Sequence, residues 1–246
     1  MTKWNHSVQA QSASVWLLFV IASLWLAISL SWWVYARFDY GYSFWYDQLA
    51  IGSHIQRYVP KHPDKADFAQ LPKEQHIEAF RQIRVAVHDG GAGLEMILYP
   101  GESGVRALLD EAEVLHLRDV AHLLDLAALA FWPVLVLWAA LAWYLGRRPL
   151  PPWRFRIGVL AGLTVAVALT FAVVGAKQIF YALHVWLFPP ENQWFFYWEL
   201  SLMSAMMQAP YLFGGIAVVL ATAGGLLAFL QYSGALKGVQ RLGAIS

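Results

Sequence analysis

The chain has 246 residues, of which 59% are hydrophobic and only 13% are charged. Soluble domains have about 45–50% apolar and about 25% charged residues, so this composition predicts an integral membrane protein. The net charge of +1 gives no indication of nucleic-acid binding, and the absence of cysteine excludes disulfides, thiolate nucleophiles and thiolate metal ligands.

Four apolar segments are long enough to cross a bilayer, which takes about 20 residues of helix. The first is interpreted as a retained helix rather than a signal peptide, because it ends in Trp32, Trp33 and Tyr35 instead of a small-residue cleavage site. Pro133 predicts a kink in the second. The predicted spans are residues 15–36, 123–145, 157–181 and 209–231. This pattern predicts an all-α membrane protein with four transmembrane helices.

Basic residues between the spans predict the orientation of the chain, because cytoplasmic loops are enriched in Lys and Arg. The short connection at residues 146–156 and the tail at 232–246 are both basic, so they are expected in the cytoplasm with residues 1–14. The longer connections, residues 37–122 and 182–208, are then expected outside. The basic residues that carry this prediction are Lys3, Arg147, Arg148, Arg154, Arg156, Lys237 and Arg241.

The first long connection is expected to build an extracytoplasmic cap. Its aromatic residues 38–58 are expected at the membrane interface, and the proline-containing residues 59–71 are expected to form a loop. Apolar residues at helical spacing predict an amphipathic helix over residues 73–87. Residues 94–99 are expected to form a short strand.

A glycine cluster at residues 90–93 follows the predicted amphipathic helix. Because no Gly-Lys-Ser/Thr accompanies it, it predicts a helix end and a turn rather than a phosphate-binding loop. The histidines of this part of the cap are scattered through loop and amphipathic segments, and they are expected to be surface residues. They are His54, His62, His76 and His88.

The polar stretch that leads into the second span contains residues suited to acid–base chemistry. Asp110 as N-cap and Glu113 three residues later predict a capping box. Asp119 lies close on the same helix to both His116 and His122, so its carboxylate is placed to orient either imidazole. His122 lies about 120° around the helix from His116, and a structural role is expected for it.

A further histidine, His184, lies in an apolar and aromatic segment at the end of the third span, where a polar side chain is expensive and often functional. The predicted orientation places His116 and His184 on the same side of the membrane. The two imidazoles are therefore expected within about 12 Å of each other, across a cleft open to lipid that His122 does not line.

A zinc site is an alternative use of these residues, since histidine and aspartate side chains are common zinc ligands. The candidate ligands are His116, His122, His184 and Asp119. The spacing lacks His-Glu-x-x-His, and His116 and His122 do not share a helical face. We therefore predict no metal.

Two motifs resemble those of the lipoprotein intramolecular transacylases, a family of bacterial four-span membrane proteins. The segment Glu113-x-x-His116-Leu-Arg-Asp119-Val120 is similar to the family's Glu-x-x-His-Met-x-Asp-Val signature, with Leu117 in place of Met. The family's second motif is an aromatic segment with one His, followed by a Pro-containing turn and a Trp, and this chain has a similar segment. A later Pro resembles the family's Pro at the start of the last span. The matching residues are Phe180, His184, Phe188, Pro189, Trp194 and Pro210.

The resemblance implies an intramembrane acyltransferase in the bacterial cytoplasmic membrane, with its active site on the extracytoplasmic side. The substrate would be a diacylated lipoprotein whose N-terminal Cys carries a diacylglyceryl group, and one acyl chain would move to the α-amine of that Cys. No cofactor is implied, and a monomer in contact with membrane lipid is expected. The implied catalytic residues are His116 and His184, with Asp119, Glu113, Arg118 and Trp194 supporting them.

Two alternatives belong to other functional classes. Paired histidines on facing helices also ligate b-type haem in four-helix membrane proteins, and a Soret band would indicate that function. A membrane subunit that only docks a partner would keep its function when both histidines are replaced.

Overall fold

A computed structural model describes the backbone of residues 6–148 and 151–243, and their side chains except at residues 6–12, 168, 176 and 232–243. Lys3 and the side chains of Lys237 and Arg241 lie outside this described part. The prediction of the orientation from these three basic residues therefore falls outside it too. The chain is 75% helical.

Nine helices and one hairpin make up the described residues. The helices are α1 (His6–Ala36), α2 (Tyr42–Gln48), α3 (Ile51–Tyr58), α4 (Lys73–Val87), α5 (Glu111–Gly146), α6 (Trp153–Val174), α7 (Ala176–Leu187), α8 (Leu202–Met206) and α9 (Tyr211–Gly243). The antiparallel strands are β1 (Leu98–Gly101) and β2 (Gly104–Ala107). Short 3-10 turns lie at Asp39–Gly41, Val59–Lys61, Ala66–Gln70 and Leu94–Met96.

Four of these helices are long and apolar enough to cross a membrane, which confirms the predicted all-α class and the number of spans. The apolar stretches are Ala13–Ala36, Glu111–Gly146, Trp153–Val174 and Tyr211–Gln231. The third differs from the predicted span at residues 157–181, because α6 ends at Val174. Gly175 follows with φ +86°, a conformation that favours glycine, and α7 begins after it.

The chain divides into two compact units, and the first comprises residues 1–32, 128–175 and 220–246. Its core joins α1 to α5 and α6, and the indole of Trp138 donates a hydrogen bond to Ser23 at 2.8 Å. Helix α9 approaches α1 closely, since a Cβ on Gly224 would lie 2.8 Å from the Ile28 side chain. The buried residues of this core are Trp16, Phe19, Val20, Leu141, Ala142 and Leu145.

The second unit comprises residues 33–127 and 176–219. Part of its core lies between α2 and α4, where the rings of Tyr42 and Phe80 stack with centroids 4.0 Å apart. Helix α4 has the predicted bounds of the amphipathic helix. The predicted strand at residues 94–99 is instead a 3-10 turn followed by β1, which begins at Leu98.

Three of the four histidines between residues 37 and 110 are buried, so their prediction as surface residues was wrong. His54, His62 and His76 are 8%, 6% and 2% exposed, whereas His88 is exposed as expected. Aromatic neighbours explain part of this burial, because the Nδ1 atom of His76 lies 2.9 Å from the Tyr46 hydroxyl. Burial also lowers the pKa of His54 to about 4, so this imidazole is uncharged at neutral pH.

Candidate active site

The first turn of α5 is fixed by a carboxylate that is almost completely buried. The backbone N–H of Asp110 donates to Glu113 at 2.7 Å, which is the return bond of the predicted capping box. The Asp110 carboxylate instead binds the Lys65 ammonium at 2.6 Å. Glu113 is only 1% exposed.

The second oxygen of Glu113 binds a distant part of the chain. It accepts a hydrogen bond from the Ser201 hydroxyl at 2.5 Å and one from the Met203 N–H at 3.2 Å. Ser201 is also the N-cap of α8, because its oxygen accepts from the Ser204 N–H at 3.0 Å. Glu113 therefore anchors α8 to α5. Sequence reasoning missed Ser201, since nothing in its apolar surroundings indicates a buried carboxylate partner.

His116 lies one turn after Glu113 on α5 and is 8% exposed. Its ring is surrounded by aromatic side chains, with the Phe188 centroid at 4.8 Å and the Phe196 centroid at 5.8 Å. Its Nδ1 atom is buried and has no hydrogen-bond partner within the described part of the chain. A buried polar atom without a partner costs about 1–3 kcal/mol, so this nitrogen is available to a polar group of a ligand.

His184 lies on α7 and is half-buried. Its Nδ1 atom is 2.7 Å from the Phe180 carbonyl oxygen, four residues earlier in the same helix. Because a carbonyl can only accept, Nδ1 must carry the proton, and Nε2 then has a free lone pair. Burial lowers the pKa of His184, which keeps this imidazole neutral at neutral pH.

The structure brings the two histidines together. The ring centroids of His116 and His184 are 6.1 Å apart and their planes differ by 28°. Phe188 contacts both rings, since its centroid is also 5.1 Å from His184. The two imidazoles are therefore close enough to act on one substrate, as the sequence predicted. We refer to them as the imidazole pair.

Trp194 is the one implied supporting residue whose ring lies beside this pair in the described structure. Its centroid is 5.3 Å from that of His184. Phe196 joins it in the same connection after α7. Both side chains contribute to the aromatic surroundings of the pair, and less polar surroundings strengthen electrostatic interactions with a bound substrate.

Two other implied supporting residues bind partners outside the imidazole pair. The Asp119 carboxylate accepts a hydrogen bond from the Asn192 side chain at 2.7 Å, so it ties α5 to the connection after α7. Its expected role in orienting an imidazole stays a prediction. Arg118 is exposed and forms an ion pair with Glu95 at 2.9 Å, and the two side chains are 51% and 53% exposed. Arg118 points away from His116, since the two are about 200° apart around the helix.

His122 is exposed, in contrast to the buried His116 on the same helix. Across the residues with described positions, no group of three or more His, Cys, Asp or Glu side chains is arranged to hold a metal ion. The chemistry available to the imidazole pair itself is proton transfer and hydrogen bonding to a substrate.

Comparison with known proteins gives one result. A family model described as lipoprotein intramolecular transacylase Lit matches residues 10–211 of the chain. The matched range includes both imidazoles, the Glu113 anchor and the first three of the four apolar stretches, and it ends at Tyr211, where the fourth begins. No curated protein and no solved structure matches the chain.

Proposed function

Because the chain belongs to the lipoprotein intramolecular transacylase family, and is therefore an acyltransferase of the membrane, we propose that it acts on one lipid-modified cysteine. A fatty acyl chain moves from the glycerol ester of a diacylglyceryl-Cys to the α-amine of that Cys. The observation that carries this proposal is the imidazole pair, which lies in aromatic surroundings within the matched range. Family membership also favours this function over a haem protein or a docking subunit.

The first step is attack of the amine on the ester carbonyl. An α-amine has an unperturbed pKa of about 7.7–8.0 and attacks only when neutral. We assign His184 as the base that takes the amine proton, because its bond to Phe180 leaves the Nε2 lone pair free. Attack forms the new N–C bond and places negative charge on the carbonyl oxygen.

The second step is departure of the glycerol oxygen. We assign His116 as the hydrogen-bond donor that stabilises the oxyanion, since it lies opposite His184 and a nitrogen of its ring lacks a protein partner. The C–O ester bond then breaks, and the proton held by His184 passes to the glycerol oxygen. Protons balance within one molecule, so the reaction needs no cofactor and no second acyl donor. Holding both groups in one molecule replaces a bimolecular encounter.

The decisive measurement is tandem mass spectrometry of the N-terminus of a co-expressed diacylated lipoprotein. Transfer within one molecule leaves the total mass unchanged but blocks the amine and frees a glycerol hydroxyl. We expect an N-acyl, lyso-glyceryl fragment pattern with the protein present and a free amine without it. A gain of one acyl mass would contradict the proposal, because it would require an external donor.

We also propose that the site faces the extracytoplasmic side of the bacterial cytoplasmic membrane and that residues 37–110 form the larger part of a cap beside it. The arginines between α5 and α6 support this orientation through their preference for the cytoplasm. Exposed apolar side chains around His184, namely Leu183, Val185 and Trp186, support contact of α7 with lipid. Acyl chains of the substrate would then stay in the bilayer while its polar group meets the imidazoles.

The orientation is tested with reporter fusions in two connections. A fusion at residue 152, between α5 and α6, should report a cytoplasmic position. A fusion at residue 103, in the turn between β1 and β2, should report an external one. Reversed signals would overturn the orientation, and identical signals from both sites would contradict an odd number of spans between them.

A further inference from the structure

The connection between α7 and α8 contains a segment that behaves like a single β-strand. Residues 193–197 lie in neither a helix nor a turn, and none of them has a positive φ. Their side chains alternate, because Gln193, Phe195 and Tyr197 are exposed whereas Trp194 and Phe196 are half-buried. A period of two is the pattern of an extended strand. We call residues 193–197 the extended segment.

Hydrogen bonds to α5 fix the chain on both sides of the extended segment. Before it, Asn192 donates to Asp119 at 2.7 Å, and after it, Ser201 donates to Glu113 at 2.5 Å. The two carboxylates are six residues apart on α5, which is about 9 Å along the helix axis. The extended segment therefore runs along α5 past His116, from the turn that follows this histidine to the turn that precedes it.

The half-buried side chains of the extended segment lie against the imidazole pair. The ring centroids of Trp194 and Phe196 are 5.3 Å and 5.8 Å from the two imidazoles. Trp198, which follows the segment, lies 4.4 Å from the His54 ring of α3. The segment thus leads from the candidate active site towards the residues between α1 and α5.

The backbone of the extended segment is largely unpaired. The four N–H groups from Gln193 to Phe196 have no hydrogen-bond partner among the residues that the structure describes. The Phe196 carbonyl accepts from the Ser204 hydroxyl at 3.1 Å, so this edge faces α8. In an extended chain the backbone groups of alternate residues point to the same side. Gln193 and Phe195 therefore form the opposite edge, which we call the free edge.

A side chain of the segment itself shows what the free edge binds. The Gln193 side-chain amide donates to the Phe195 carbonyl oxygen at 3.0 Å. An amide N–H in this position is what a neighbouring strand supplies in a β-ladder. The side chain of Gln193 is exposed, so a peptide can displace it without disturbing the core.

The substrate of the proposed reaction brings a peptide to this place. Its α-amine must reach the imidazole pair, so the residues after the modified Cys begin beside Trp194 and Phe196. Pairing between backbones gives affinity without requiring particular side chains, which suits lipoproteins of different sequence. We propose that the free edge binds the peptide that follows the lipid-modified Cys by strand addition. This inference rests on the proposed function, because it takes a lipoprotein as the substrate.

The test uses synthetic diacylglyceryl-Cys hexapeptides that carry one N-methyl group at successive positions after the Cys. Their Kd for the purified full-length protein in nanodiscs is measured independently of turnover. Alternate N–H groups of a paired strand face its neighbour, so methylation at every second position should raise the Kd about tenfold. Methylation at the intervening positions should leave it unchanged. Equal effects at all positions, or no effect at any, would overturn the proposal.

A pair of variants tests the protein side of the same contact. Phe195→Pro removes an N–H from the free edge, and it suits an extended residue before it. Phe195→Ala is the matched control, because it removes the same exposed ring but keeps the N–H. We expect a Kd for the unmethylated peptide about threefold to tenfold higher in the Pro variant than in the Ala variant. Equal values would contradict strand addition, and the methylated peptides decide on the wild type if the Pro variant does not fold.

Tandem mass spectrometry of the same samples separates this inference from the proposed function. Acyl transfer with no alternation in Kd would refute strand addition and leave the reaction standing. Alternation in Kd without acyl transfer would support the peptide site and refute the reaction.

Discussion

Replacing His184 by Ala should reduce conversion of the diacylated lipoprotein by about 10²–10⁴-fold, because this is the typical contribution of a general base. His116→Ala should have a loss of similar size, since the oxyanion would lose its donor. The two imidazoles act in one transition state, so the double variant should be little worse than either single one. The measurement is the initial rate of N-acyl, lyso-glyceryl product formation in membranes with equal protein content.

His122→Ala is the matched control for these variants. It removes an imidazole from the same helix as His116, but from an exposed position, so we expect conversion close to that of the wild type. Because His116 is buried, His116→Gln should be measured as well, to separate lost chemistry from a cavity. Near-normal conversion by both His116 and His184 variants would remove the basis of the proposed mechanism.

Replacing Glu113 by Ala should destabilise the protein by several kcal/mol. The change leaves three donors without their acceptor, namely the N–H groups of Asp110 and Met203 and the buried hydroxyl of Ser201. Each buried donor left unpaired costs about 1–3 kcal/mol, more when its partner was charged. Glu113→Gln keeps one oxygen as an acceptor, so this variant should lose less stability than Glu113→Ala.

The stability of these variants is compared by thermal unfolding in detergent. Glu111→Ala serves as the control, because Glu111 lies in the same helical turn but is exposed. The melting temperature of Ser201→Ala should lie between those of Glu113→Ala and Glu111→Ala, since this change removes one bond of the anchor and the N-cap of α8. Equal melting temperatures for Glu113→Ala and Glu111→Ala would show that the anchor contributes nothing.

The spans and the histidine pairing were predictable from sequence because the bilayer imposes simple rules. A lipid solvent requires long apolar helices, and two consecutive spans return the chain to the side of the membrane from which it started. These two rules were enough to bring His116 and His184 together from segments far apart in sequence. The helix break after Val174 was missed, since hydropathy continues through Gly175 and only its backbone conformation ends the helix.

Polar partners were much less predictable. Helical spacing relates Asp119 to His116 and His122, but it gives no sign of Asn192, which binds the carboxylate from the connection after α7. The burial of His54, His62 and His76 was also not predictable, since a polar residue in a polar stretch gives no sign of the aromatic core around it. Ser201 could be found only with coordinates, as its carboxylate partner is 88 residues away in the chain.

The bond from His184 to Phe180 has a consequence for how the reaction is controlled. The Nδ1 donor of His184 and the carbonyl oxygen of Phe180 lie one turn apart on α7. The position of the proton on His184 is therefore set within this one helix. Movements of α7 as a rigid rod would change how far His184 stands from His116 while leaving its proton in place. The distance between His184 and His116 would then control the reaction, because the Nε2 lone pair of His184 stays free throughout.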